Sequence, residues 1–249
     1  MLLRDHVVIV TGAAQPGSIG EAIAQRIADE GGHPVVTSRK LADAQAAAKR
    51  IGAGSGLACD LTKEPDCERL VADVLAARGR LDGVVHNAGA PIEDWDRPFL
   101  ETPVEAYAKV FDLDVLGAVR LTRHALKPML AKKRGALVFT SSTAALAGYQ
   151  HLHEFSPAKA GALGLMKGLA MEVAHQGVRA NAVAYGNIGS PATLEALTPE
   201  QKEALAHESP MMRWGAPREA AGGAVFLLSE LASFVNGQTL VIDGGTVMR

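Results

Sequence analysis

Short apolar runs recur along the chain, separated by longer stretches whose apolar positions fall at helical spacing. The runs predict strands over His6–Val10, Pro34–Thr37, Gly56–Ala58, Gly83–His86, Ala136–Thr140, Val178–Ala184 and Thr239–Ile242. Between them, helices are predicted over Ile19–Glu30, Leu41–Arg50, Lys63–Ala77, Pro103–Lys133, Phe155–Gln176 and Pro217–Leu228. The strands are nearly continuous in apolar character, as strands covered on both faces must be. Gly31, Gly52, Gly79, Gly135 and Gly177 stand just past predicted helices, where a left-handed cap is expected. Strict alternation of strand and helix predicts an α/β fold with a doubly wound, seven-stranded parallel sheet and helices on both faces. No internal repeat, low-complexity tail or linker interrupts it, so residues 1–249 read as one domain. The exception is residues 186–210, irregular apart from room for one short helix, which we expect to act as a substrate lid.

Composition narrows the class. The 249 residues are 48% hydrophobic, enough for one sizeable core. Twenty-five Lys and Arg against 27 Asp and Glu leave a net charge of −2, which gives no bulk attraction to nucleic acid or an anionic membrane. No apolar run approaches the roughly 20 residues needed to span a bilayer. Arg4, Asp5 and His6 break up any signal-peptide pattern, so a cytoplasmic location is expected. Two cysteines are too few for a metal cage or a disulfide framework. There are three tyrosines, Tyr107, Tyr149 and Tyr185, and their positions matter below.

The first strand runs into Thr11-Gly12-Ala13-Ala14-Gln15-Pro16-Gly17-Ser18-Ile19-Gly20. A glycine-rich turn opening a helix presents backbone N–H groups and the positive helix end to a pyrophosphate. Ser18 and Glu21 have the spacing of a capping box, which starts the helix just after Ser18. A Rossmann site for NAD(H) carries a carboxylate at the end of the second strand to accept from the adenosine ribose. Here that strand ends Thr37-Ser38-Arg39-Lys40 without one. Ser38 and Arg39 suit a 2′-phosphate, because a guanidinium grips phosphate through two hydrogen bonds, so NADP(H) is expected over NAD(H).

Taken with these residues, the chain resembles the short-chain dehydrogenase/reductase family over essentially its whole length, and most closely its 3-oxoacyl-carrier-protein-reductase-like members. The resemblance rests on Asp60-Leu61, Asn87-Ala88-Gly89, Thr140-Ser141-Ser142, Lys159 within Ser156-Pro157-Ala158-Lys159, and the closing Gly237-Gln238-Thr239-Leu240-Val241-Ile242-Asp243-Gly244-Gly245. It implies an adenine contact at Asp60-Leu61 and cofactor contacts at Gly12, Gly17, Ser18, Ile19, Gly20, Asn87, Ala88, Gly89, Lys159, Gly186 and Ile188. It also implies Ser142 and Lys159 as catalytic residues. Pairing through the two longest helices and the last strand is implied as well, giving a homotetramer or, failing that, a dimer.

Three departures bear on the chemistry. The family's catalytic tyrosine belongs four residues before the lysine, where this chain has Phe155. Its catalytic asparagine falls on Asp114, within Asp112-Leu113-Asp114-Val115-Leu116-Gly117. The Pro-Gly usual after the sixth strand is Tyr185-Gly186, and the glycine-rich turn is two residues longer than most, with a spacing similar to the enoyl-reductase branch. In the family the tyrosine protonates the developing alkoxide, the lysine lowers its pKa and holds the nicotinamide ribose, and the serine binds the substrate oxygen. Phe155 cannot donate a proton, and losing a positioned general acid costs about 10²–10⁴-fold. Asp114, if ionised, only accepts hydrogen bonds, and could pair with Lys159.

Tyr149, His151, His153 and Tyr185 are the substitute donors or pocket residues to be weighed; Tyr107, with Val104, Val110 and Phe111, is expected in the core. Met211, Met212 and Trp214 are expected to cover the pocket. Two functional readings remain: an NADP(H)-dependent oxidoreductase acting on a carbonyl or activated C=C bond with an atypical proton donor, or a catalytically impaired nucleotide-binding homologue. In the second, Phe155 is either natural or an engineered silencing change, although Asp114 and Tyr185 would not follow from a single such change.

Overall fold

The structure is a computed structural model that describes residues 1–91 and 97–248. Its strands are β1 (Val7–Val10), β2 (His33–Ser38), β3 (Ser55–Ala58), β4 (Gly83–His86), β5 (Gly135–Ser142), β6 (Val178–Tyr185) and β7 (Thr239–Ile242). All neighbours pair in parallel, in the order β3-β2-β1-β4-β5-β6-β7. The expected seven-stranded sheet is therefore present, and each apolar run lies within a residue or two of its strand.

Helices α1 (Ile19–Asp29), α2 (Leu41–Ile51), α3 (Glu64–Arg78), α4 (Val104–Phe111), α5 (Gly117–Lys132), α6 (Ala144–Ala147), α7 (Phe155–Val173), α8 (Pro191–Glu195), α9 (Pro199–His207) and α10 (Pro217–Leu228) complete the described chain. On β1 successive side chains enter opposite cores. Val7 and Ile9 join a cluster with Leu70, Leu121 and Met166, from α3, α5 and α7. Val8 and Val10 join one with Ile23, Ile27 and Leu227, from α1 and α10. A sheet buried on both faces needs apolar residues at every position, which is why its strands read as continuous runs. Burial of each such side chain stabilises the fold by about 1.5–3 kcal/mol. Strand order reverses between β1 and β4, so the loops after these strands part and open a crevice at the carboxyl ends, where such sheets bind ligands.

Several local expectations are corrected. The predicted helix 103–133 is two helices joined by a π-helical turn at Asp112–Leu116. Past α5 the left-handed position belongs to Lys133 at φ 50°, not to Gly135. Gly135 instead opens β5, where a Cβ would lie 2.6 Å from the Met129 sulfur. The region 186–210 holds two short helices, each begun by a hydroxyl cap, Ser190 for α8 and Thr198 for α9. Of the face around Tyr107, only Val110 is buried; Val104 and Phe111 are exposed, because α4 rests one side on α7 and leaves the other to solvent. No helix among the described residues is long and apolar enough to cross a membrane.

Candidate active site

Backbone fit builds the crevice on the β1 side. Gly12, at φ 64°, lies so close to Ala88 that a Cβ would come within 2.7 Å of the Ala88 Cα. Asn87 Nδ2 donates to the carbonyls of Thr11 at 3.0 Å and Gly12 at 3.2 Å, while the Asn87 and Ala88 N–H groups both donate to Thr11 Oγ1 at 3.0 Å. Gly20 completes the lock, since a Cβ there would sit 2.5 Å from Asn87 Nδ2. The glycine-rich turn and the Asn87-Ala88-Gly89 turn are thus one packed unit. Ser18 caps α1, accepting from the Glu21 N–H at 3.1 Å. The return half of the capping box differs from expectation: the Glu21 carboxylate accepts from the Gly17 N–H at 2.6 Å, and Arg50 holds it at 2.7 Å.

At the end of β2, Ser38 is half-buried, Arg39 is exposed, and no carboxylate of that strand stands beside them. Asp60 accepts from the Thr62 hydroxyl at 2.7 Å and lies 3.7 Å from Lys63. The Thr62 hydrogen bond is the main cause holding the Asp60 carboxyl below its usual range. Leu61 is buried in the core, and its carbonyl accepts from Arg120. His86, just ahead of Asn87, is buried against Phe139 and shares a 2.9 Å hydrogen bond with Thr122; burial pushes its imidazole down to about 3.

The β5–β6 side closes a cavity of about 280 Å³. Ser142, Phe155, Lys159, Tyr149 and Tyr185 line it, together with Ile19, Asn87, Gly186 and Ile188, four of the residues expected to meet a cofactor. The Ser142 hydroxyl accepts from the Ala144 N–H at 3.1 Å, which leaves its own proton to donate. One turn along α7 from Phe155, the Lys159 ammonium sits 5.3 Å from that ring's centre. It forms an ion pair of 2.8 Å with Asp114, both side chains more than nine-tenths buried. The π-helical turn carries Asp114 inward; such turns recur at functional sites because they re-aim a side chain without breaking the helix. The other Asp114 oxygen accepts from the Ala90 N–H at 2.7 Å. A Cβ on Gly89 would come within 3.1 Å of both charged groups, so the glycine makes room for the pair.

Each tyrosine considered as a donor has its hydroxyl engaged. Tyr149 donates to Glu208 at 2.6 Å, and burial together with that carboxylate pushes its phenol up. Tyr185 donates to the Ala220 carbonyl at 3.1 Å, and burial pushes its phenol up as well. Its ring is a wall of the cavity while its hydroxyl points into the α10 side. His153 packs edge-on against Phe99 at 5.3 Å and is not among the residues described around the cavity.

Trp214 lines the cavity as expected, whereas Met211 and Met212 are exposed and do not. Thr193 of α8, Leu205 of α9, Leu197 from the turn between them, and Asn187 also line it. No motif marks these four. The one signal available was the pair of hydroxyl caps, Ser190 and Thr198, each followed by proline, which announces the helices that carry two of them, Thr193 and Leu205.

A doubly wound sheet with a glycine-rich first turn at its switch point defines a dinucleotide-binding fold. Known proteins place the chain more closely. The family profile described as enoyl-(acyl carrier protein) reductase matches residues 12–247. The chain is 36% identical over 256 residues to L-rhamnose 1-dehydrogenase (NAD(P)(+)) of Azotobacter vinelandii, covering 98% of each chain. It is 34% identical over 250 residues to dehydrogenase/reductase SDR family member 4 of Bos taurus, covering 98% of this chain and 88% of that one. It is 32% identical to a 3-oxoacyl-acyl-carrier-protein reductase of Vibrio cholerae over 249 residues, the full length of both. The chain belongs to the short-chain dehydrogenase/reductase family, oxidoreductases that use nicotinamide cofactors.

Proposed function

We propose that this protein is an NADP(H)-dependent oxidoreductase that interconverts a carbonyl and an alcohol, or reduces an activated C=C bond, with an atypical proton donor. The observation that carries this reading is the cavity that brings Ser142 and Lys159 together beside the locked Gly12–Asn87 turn. The chemistry at the end of β2 supports the cofactor: Ser38 and Arg39, without a strand-end carboxylate, suit a 2′-phosphate.

When bound, the reduced nicotinamide supplies the hydride to the substrate carbon. Ser142 donates a hydrogen bond to the substrate oxygen as charge gathers there. With the Tyr149 and Tyr185 hydroxyls engaged elsewhere, the Lys159 ammonium is the proton source that borders the cavity. Asp114 holds that ammonium in place, and solvent restores its proton after transfer. Phe155 keeps water from the reacting atoms and takes no part in proton movement. The lid 186–210 closes the cavity through Leu197, Leu205 and Thr193.

We further propose a homotetramer, or else a dimer, and a cytoplasmic location. Exposed apolar residues on the helices expected to pair (Val104, Phe111, Leu116, Met171) and near the last strand (Leu231, Phe234, Leu240, Met248) support self-association. Gel filtration at the mass of a 26.0 kDa monomer would contradict it.

Fluorescence titration with NADPH and NADH, followed by NADPH oxidation with ketone, 3-oxoacyl and enoyl thioester panels, tests the function. We expect NADPH to bind at least about tenfold tighter, some 1.4 kcal/mol, and turnover with one of the panels. Tighter NADH binding removes the role given to Arg39. A second reading, a nucleotide-binding homologue without turnover, is favoured by the same engaged tyrosines and is established if NADPH binds tightly but no panel reacts.

A further inference from the structure

Apart from the Ser142 proton and the Lys159 ammonium, which face the reacting oxygen, the polar side chains around the 280 Å³ cavity are largely engaged by the protein. Tyr149 donates to Glu208 Oε1 at 2.6 Å. Asn187 Nδ2 donates to Glu208 Oε2 at 3.0 Å and to the Leu205 carbonyl at 2.9 Å. Trp214 Nε1 donates to the Lys202 carbonyl at 2.9 Å, and the Thr193 hydroxyl shares a 2.8 Å bond with Ser190. These bonds fasten the lid and leave the rings and chains of Leu152, Phe155, Leu197, Leu205 and Trp214 as the walls. Lys159 is the cation of the lining, and Asp114 neutralises it at 2.8 Å. Glu208 adds a carboxylate bonded to two of the lining residues, Tyr149 and Asn187.

Each feature acts against a polar guest. Ser142 and Lys159 can serve one oxygen, but the further hydroxyls of a sugar would be buried beside apolar walls and side chains already engaged, at about 1–3 kcal/mol for each one left unpaired. A carboxylate or phosphate would lose its water without gaining a free cation, and would stand near the Glu208 carboxylate. The volume, shared with residues expected to meet the nicotinamide, is just below the range of small-molecule pockets, about 300–1,000 Å³, which limits the guest to a small molecule.

We propose that this cavity takes a small, uncharged, largely apolar ketone, or the secondary alcohol it yields, and rejects carboxylates, phosphates and polyols. The proposal rests on the oxidoreductase reading for its reaction, though not for its binding preference. The carbonyl carbon gains the hydride, the oxygen gains the proton released by Lys159, and NADPH leaves as NADP⁺.

Acetophenone, 4-acetylbenzoate and an aldose, each offered to the full chain with NADPH, test it. The corresponding alcohols (1-phenylethanol, its 4-carboxylate and a sugar alcohol) are titrated in parallel into the NADP⁺ complex by intrinsic fluorescence. We expect the uncharged aryl compound to lead both the kcat/KM series and the binding series by at least about 10²-fold. Glu208→Gln should narrow the deficit of the carboxylate by about three- to tenfold relative to the uncharged compound. Preference for the carboxylate or the sugar in binding overturns the proposal, whether or not turnover occurs. Preferred binding of the uncharged alcohol with no turnover of any ketone upholds the proposal and removes the oxidoreductase reading instead.

Discussion

The two sides of the crevice are held together by different means. On the β1–β4 side, two turns pack closely and tie short side chains to backbone: Gly12 lies on the Ala88 backbone, Gly20 leaves room for the Asn87 amide, and the Thr11 hydroxyl takes both N–H groups of the facing turn. On the β5–β6 side, side chains decide: Lys159 pairs with Asp114, Tyr149 with Glu208, and Tyr185 with a carbonyl of α10. Where glycines let two turns touch, few other residues fit, whereas on the β5–β6 side each partner could be redirected by one substitution. A cofactor cleft can therefore be kept while the reacting end of the site is rebuilt beside it.

The sharpest break in this contrast is Asp114→Leu. It leaves the Lys159 ammonium buried and unpaired, and we expect a loss of about 3 kcal/mol in urea unfolding, the lower end for a broken buried pair because Lys159 borders a cavity. Asp114→Asn should cost clearly less. On the opposite side, Asn87→Ala removes the bonds to Thr11 and Gly12; we expect roughly 1–3 kcal/mol lost in stability, together with weaker NADPH binding in a fluorescence titration. Arg39→Ala leaves the fold intact and should weaken NADPH about tenfold while sparing NADH.

His86 gives a pH dependence. Burial holds its pKa near 3, far below the unfolded imidazole, so the unfolded chain binds a proton that the folded chain does not. Stability is fully present above about pH 6.5 and declines as pH falls toward 3, by at most about 1.4 kcal/mol per pH unit. Unfolding curves for His86→Gln should lack that part of the slope.

The sequence conveyed the backbone-held side well. Continuous apolar runs give strands buried on two faces, and the glycines of the first turn stand where close approach requires them. It conveyed much less of the other side, because a tyrosine's place in the chain does not tell where its hydroxyl points. Tyr185 lies next to Gly186, as expected, yet its proton goes to Ala220. The π-helical turn that carries Asp114 inward has no residue signature, and its stretch read as plain helix. Gly135 looked like a helix cap, but Lys133 took that conformation and Met129 needed the space beside Gly135. The region 186–210 read as irregular with room for one short helix, because the caps Ser190 and Thr198 precede helices too short to show an apolar period.

The contrast between the two sides is tested most directly by kcat for NADPH-driven ketone reduction before and after Phe155→Tyr. If the cofactor side is intact and the proton path is what has changed, the tyrosine raises kcat by about 10²-fold with little change in NADPH affinity. A kcat that stays flat while NADPH still binds tightly would contradict the account and mark the protein as a nucleotide-binding homologue.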